Sequence, residues 1–314
     1  MRDFPDWIRF PVADRVDLAM RWVLTNMGWF FDWVGDVGLQ ILIAVERSLL
    51  FIPWWLAVIG VGVLAWRAIG SKRSGIAMAI LLFMVGAFGY WTHAMNTLSV
   101  VIVAVAFSIT LGIPLGILMA WNNSVRNVLT PILDAMQTMP SFVYLIPALM
   151  LFGLGRVPAT FATVIYAIPP VIRLTNVGIR EVPPAVIEAS TAFGADRWNL
   201  LFDVQLPLAR PSIMVGVNQT TMMALAMVVI GSMIGNRGLG MEVLLAINRV
   251  NIGQGFEAGI SIVFLAIIID RITTAFARAK KVEAATGEDT ETEASEEAQK
   301  ESSKSISDSS DLAG

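Results

Sequence analysis

Apolar residues in this chain come in long unbroken stretches, and residues 74–125 contain no Asp, Glu, Lys or Arg. As one helix at 1.5 Å per residue that stretch would extend roughly 78 Å, against a bilayer core of about 30 Å. It must fold back, and the polar patch Thr92, His93, Asn96 and Thr97 marks the expected turn. Spans are predicted near 75–92 and 97–121, with further charge-poor stretches at 48–66, 135–155, 157–172 and 211–236. A last stretch, 258–269, crosses only if its helix runs from about 255 to 276, with Glu257, Asp270 and Arg271 near the interfaces. The pattern predicts an all-α integral membrane protein with about seven transmembrane helices.

Ahead of these spans the pattern changes. Asp14, Asp17, Arg21, Thr25, Gly28 and Asp32 recur every three or four residues, while Trp22, Val23, Met27, Trp29, Phe30 and Trp33 occupy the other faces. Such an amphipathic helix lies in a membrane interface or packs within an extracytoplasmic subdomain. Residues 1–15 lack the apolar core of a removable signal peptide.

Composition agrees with membrane residence. The 314 residues are 56% hydrophobic and 15% charged, whereas soluble domains carry about a quarter charged residues. Absence of Cys excludes thiolate metal sites, and the single His93 forms no imidazole cluster. The net charge of −3 conceals an acidic tail: residues 282–314 hold ten acids and two Lys, leaving +5 on the rest. That tail lacks aromatics and reads as disordered. Arg67, Lys72 and Arg73, then Arg173, Arg180, Arg197 and Arg210, then Arg278, Lys280 and Lys281 fall on one side of seven spans. The positive-inside bias makes that side cytoplasmic, with the N-terminus outside; Arg237 and Arg249 oppose the trend.

The long connection 178–211 asks for a reason. Val182–Pro211 reads as two short helices: Pro183 and Pro184 suit a helix start, Gly194 a left-handed C-terminal cap, and Asp196 an N-cap. Val186, Ser190 and Phe193 line one face of the first helix. Trp198, Leu201, Phe202 and Gln205 line one face of the second, which Leu206-Pro207 is expected to stop. Apolar residues presented to water mark a docking surface.

Glu188-Ala189-Ser190, then Gly194, then Val204-Gln205-Leu206-Pro207 resembles the Glu-Ala-Ala loop of ABC importer permeases, with Ser190 in place of the second Ala. The run Asp134–Pro147, Leu151–Gly155, Gly235–Gly240 and Leu265–Arg271 is similar to the glycine betaine/proline/choline branch of that family. The resemblance covers about 95–275. It implies a type I importer permease in an inner membrane, whose loop residues Glu188, Ala189, Ser190, Gly194, Val204, Leu206 and Pro207 dock on a separate ABC ATPase subunit. It further implies a second permease copy and a periplasmic solute-binding protein. The solute would be glycine betaine, choline, carnitine, proline betaine or trimethylamine N-oxide. No phosphate-binding Gly-x-x-x-x-Gly-Lys-Ser/Thr motif is present, so ATP and Mg belong to the partner, and the chain itself is no enzyme and carries no cofactor.

The expected organisation is an interfacial segment 1–47, two peripheral spans in 48–94, a permease core 95–277 and the tail 278–314. Asn218, Gln219, Thr220 and Thr221 are the most polar cluster within any predicted span. They line the solute pathway or hydrogen-bond neighbouring helices, and Thr138, Ser141 and Tyr144 are similar candidates. Met222, Met223 and Met227 read as packing residues, and Trp54, Trp55, Trp66, Trp91 and Trp121 as interface anchors. An ion-coupled secondary carrier is the main rival, although uncharged spans leave it few ion-binding groups. A channel filter, a catalytic motif and a nucleic-acid partner find no support in the sequence.

Overall fold

The computed structural model describes residues 12–275, and every regular element among them is a helix. In order these are α1 (Val12–Phe51), α2 (Trp54–Ile69), α3 (Lys72–Ala87), α4 (Trp91–Trp121), α5 (Asn123–Thr138), α6 (Phe142–Phe152), α7 (Arg156–Arg180) and α8 (Pro184–Ala192). Then follow α9 (Arg197–Ile234), α10 (Leu239–Asn248) and α11 (Ile252–Ala275). The acidic tail and the basic residues Arg278, Lys280 and Lys281 lie outside the described residues.

α7 forms the centre, packed between α4 and α9. Lipid tails are as apolar as Leu, so spans associate by close packing rather than by hydrophobic exclusion. Glycines permit that approach here. A Cβ on Gly116 of α4 would lie 2.6 Å from Thr175 Cβ and 2.8 Å from the Ile172 carbonyl, both on α7. On the other side, a Cβ on Gly178 of α7 would lie 2.8 Å from Ser212 Cβ of α9. α2 and α3 make a tight hairpin in the same way, through Gly62 and Gly75.

Four helices, α4, α7, α9 and α11, are long and apolar enough to cross a membrane. Two bent pairs, α1 with α2 (93°) and α5 with α6 (101°), raise the total to six if each is one crossing. Against the seven predicted crossings, the differences have local causes. α2 and α3 have 16 residues each, about 24 Å of helix and short of a 30 Å core. The expected span 135–155 is broken at Met139, whose ψ of 133° is extended because the following Pro140 disfavours helical backbone before it.

The fold-back predicted at 92–97 occurs earlier. Gly89 reverses the chain at φ +84°, and Thr92, His93, Asn96 and Thr97 sit in the first turns of α4. The polarity of His93, Asn96 and Thr97 serves tertiary contacts: Thr97 Oγ1 donates to the His93 carbonyl and accepts from the Leu239 N–H at 2.9 Å. Leu206-Pro207 likewise does not end its helix. Residues Leu200–Gln205 form a π-helical segment, and the Leu206 N–H donates to the Leu201 carbonyl, five residues back. The widened turn carries the chain past a proline that cannot donate, so α9 runs on into its span.

α1 is one helix of 40 residues. Its second half packs on the bundle, with Leu42 buried among Val100, Val103, Ala167 and Ala224. Its first half leaves Trp22 at 63% and Trp29 at 73% exposure. No described element covers that apolar face.

Candidate functional site

The loop between α7 and α9 is built by two caps. Pro183 and Pro184 open α8, and the helix closes on Gly194 at φ +90°. The Ala195 N–H reaches the Ser190 carbonyl at 3.1 Å and the Gly194 N–H the Thr191 carbonyl at 3.0 Å, the paired bonds of a Schellman motif. Asp196 then caps α9, accepting the Asn199 N–H at 2.7 Å. Leu201 is buried with Ile179, Ala209 and Ile213, which seats the start of α9 on the end of α7.

α8 itself buries nothing. Phe193 is 94% exposed, Trp198 60% and Phe202 57%. Trp198 stacks on Phe202 at 6.0 Å and meets Trp121 edge-on at 5.4 Å, so the aromatic ridge is ordered by neighbouring rings. Glu188 and Ala189 are exposed beside it, Ser190, Val204 and Leu206 are half-buried, and Pro207 is exposed. The Ser190 hydroxyl donates to the Val186 carbonyl at 2.8 Å within its own helix, which leaves the surface small and apolar, as Ala would.

Arg180 anchors this loop to the bundle. Its guanidinium donates to Asn176 Oδ1 at 3.1 Å, the Met119 carbonyl at 2.9 Å and Asn123 Oδ1 at 2.7 Å, joining the ends of α7, α4 and α5. The sequence offered only its charge; nothing in the spacing distinguishes an anchoring Arg from a loop Arg.

The polar residues expected along a pathway are not brought together. Asn218 faces α11, donating to Asp270 Oδ1 at 3.1 Å and accepting from the Thr273 hydroxyl. Thr221 is buried and donates to the Val217 carbonyl at 2.7 Å. Thr220 is buried, and Gln219 lies on the exposed face of α9 between Val215 and Ala226. Tyr144 is buried, its hydroxyl bonded to the Met136 carbonyl, and stacks edge-on with Tyr166 at 5.8 Å. Thr138 is exposed and Ser141 half-exposed at the break before α6. Nearby, Asp134 and Arg173 form an exposed ion pair.

The opposite end of the bundle carries two charge clusters not foreseen as units. Arg156, at the start of α7, pairs with Glu46 of α1 and donates to Asn96 of α4 at 3.2 Å. Glu242 of α10 accepts from Gln254 at 3.0 Å and lies 3.1 Å from His93 Nε2. Burial raises the pKa of the Tyr90 phenol beside them, with Glu257 and Glu242 adding to the effect.

Residues 112–282 match the family model described as binding-protein-dependent transport system inner membrane component. The glycine betaine/proline betaine transport system permease protein ProW of Escherichia coli (strain K12) is 46% identical over 268 residues, 85% of this chain and 75% of its own. The glycine betaine transport system permease protein OpuAB of Bacillus subtilis (strain 168) is 45% identical over 84% of this chain and 94% of its own. The trimethylamine N-oxide transport system permease protein TmoV of Ruegeria pomeroyi is 38% identical over 87% of this chain and 43% of its own. Among solved structures, an inward-facing conformation of the MetNI methionine ABC transporter superposes with a TM-score of 0.54 at 22% identity, covering 59% of this chain and 92% of that one. That likeness is one of fold.

Proposed function

The chain belongs to the binding-protein-dependent transport system inner membrane components, the permease subunits of ABC importers, and from that premise we propose that it carries glycine betaine or a related quaternary or tertiary amine. The reading rests on identity of 45–46% to two betaine permeases over more than four-fifths of the chain. The carnitine- and trimethylamine N-oxide-transport relatives widen the candidate solutes to carnitine and trimethylamine N-oxide, with proline betaine and choline alongside.

In this reading the α8–α9 hairpin is the cytoplasmic element gripped by a separate ATPase subunit. Phe193, Trp198 and Phe202 supply the apolar contact, and Glu188 a charge at its rim. Closure of two ATPase subunits on ATP moves two hairpins, and the movement passes to the spans because Leu201 and Arg180 tie the hairpin to α7 and α4. Two permease copies enclose the pathway, and a binding protein delivers solute at the opposite end. Among the polar residues, Gln219 on the exposed face of α9, with Thr138 and Ser141 at the α5–α6 break, suits the pathway; Asn218 and Tyr144 hold helices together, and the Thr221 hydroxyl is satisfied within its own helix. In this reading the N-terminal side lies outside and the first half of α1 rests in the interface, a placement supported by its uncovered Trp22 and Trp29, while the second half packs on the bundle.

The test is reconstitution of the chain in vesicles with its ATPase and binding protein. Glycine betaine is expected to accumulate only with ATP, and calorimetry of the binding protein against the five solutes ranks them. Accumulation by the permease alone on an ion gradient would overturn the assignment.

A further inference from the structure

At the end of the bundle remote from the α8–α9 hairpin, a cleft of about 780 Å³ opens between α1, the start of α7 and the segment after α9. Charges of both signs line it: Asp32 and Asp36 from α1, Arg156 from α7 and Arg237 beyond α9. Asp32, Asp36 and Arg237 are exposed. Arg156 uses its terminal nitrogens on Glu46 and Asn96, and its Nε is buried without a partner.

A second cavity, of about 390 Å³, shares Phe152 and Val157 with the rim of this cleft. Its character is different. Thr160 is the only hydroxyl in its wall, and that hydroxyl already donates to the Arg156 carbonyl at 2.8 Å. The slot follows Val157, Phe161 and Val164 down α7, and Val103, Phe107 and Leu111 down α4. Eight residues of α4 carry it about 12 Å along a crossing helix. α1 closes its third side with Val34, Gly38 and Ile41.

A paired-charge cleft at a helix end, separated only by Phe152 and Val157 from a hydrocarbon slot that descends into the span, has the outline of an amphiphile. A small zwitterion would leave the slot unfilled, and an unfilled slot forfeits the contacts of its lining atoms. A purely apolar ligand would leave the cleft charges unused. We propose that cleft and slot together hold one zwitterionic aminophospholipid from the adjoining leaflet. One of its acyl chains lies in the slot and the other stays in the leaflet, its phosphate meets Arg237 beside Arg156, and its ammonium meets Asp32 and Asp36. The lipid then acts as a wedge between α1 and the core, independently of which solute the permease carries.

The full chain, purified in mild detergent, is examined by native mass spectrometry and by thermal-shift titration. The probes are phosphatidylethanolamine, phosphatidylglycerol, soluble phosphoethanolamine and glycine betaine. One phosphatidylethanolamine per chain is expected to survive delipidation, and that lipid to raise the unfolding midpoint more than phosphatidylglycerol does. Gly38→Leu fills the slot, its new Cβ meeting only Val157 at 3.9 Å, and should abolish retention. Arg237→Glu, an exposed change that leaves packing untouched, should weaken retention at least tenfold and decides the matter if Gly38→Leu fails to fold. Equal retention by wild type and both variants, or no preference between the two headgroups, would sink the proposal. So would a full midpoint shift from phosphoethanolamine or glycine betaine alone, which would make the cleft a site for free zwitterions.

Discussion

Asn218 of α9 donates to the carboxylate of Asp270 on α11 at 3.1 Å, and its own carbonyl accepts the Thr273 hydroxyl. The amide thus satisfies an acid inside a helix that otherwise reads as a span. Asp270 is half-buried and its other side-chain donor, the Thr274 hydroxyl, is 3.5 Å away, so losing Asn218 costs part of the about 1–3 kcal/mol of an unsatisfied buried acceptor. Asn218→Leu should therefore lower the unfolding midpoint of the purified permease, whereas Asp270→Asn with Asn218 intact should be milder. An unchanged midpoint with altered solute selectivity would return Asn218 to the pathway.

Gly116 and Gly60 make opposite expectations. A methyl group at Gly116 would enter the α4–α7 contact, 2.8 Å from the Ile172 carbonyl, whereas at Gly60 of α2 it would meet nothing within 4 Å. Overpacking costs typically 1–3 kcal/mol, while Gly to Ala in an open helix interior gains roughly 0.5–1 kcal/mol. Gly116→Ala should lower the unfolding midpoint and Gly60→Ala raise it slightly, read side by side in the same detergent.

Gly116 also marks how far the sequence could be read. Gly112 and Gly116 stand four residues apart, a spacing that permits close helix contact, but among 25 glycines nothing in it selects which pair of helices it joins. The helical caps of the loop were legible in full, because Pro184, Gly194 and Asp196 each act on their own few neighbours. The turn at Gly89 was not, since polarity at Thr97 signalled a hydrogen bond to Leu239, 142 residues away, rather than a chain reversal. Pro207 misled for a related reason. A proline stops an α-helix through a missing donor, and a π-turn just before it removes that requirement. Asn218 was singled out as polar, yet its partners on α11 lie more than fifty residues on and leave no local trace.

Glu46 and Arg156 hold α1 against the core. Both side chains are mostly buried, at 19% and 17% exposure, so Glu46→Leu strands a guanidinium that Asn96 alone cannot neutralise. Hydrogen bonds to charged groups contribute about 1.5–3 kcal/mol, and the loss should fall on α1. Limited proteolysis is expected to cut within α1 sooner in Glu46→Leu than in wild type. Glu46→Gln, which keeps an acceptor oxygen, should lie between them.

Gly194 and Glu188 separate the shape of the hairpin from its chemistry. At φ +90° a β-branched residue is strained, at about 1–3 kcal/mol for such backbone, and no neighbour would clash with its Cβ. Gly194→Val should therefore leave α4, α7 and α9 intact, with an unfolding midpoint near wild type, while tilting Phe193 and Trp198 out of register. Glu188→Lys leaves the cap untouched and reverses one exposed charge. Both variants should insert normally and lose ATP-driven uptake, but by different routes. Raising salt screens exposed charges within about 10 Å at 0.1 M. It should thus narrow the gap in ATPase binding between Glu188→Lys and wild type, and leave the Gly194→Val defect as it was. Pull-down of the ATPase subunit across a salt series reads both effects, and wild-type binding by either variant at low salt would remove the hairpin from the coupling path.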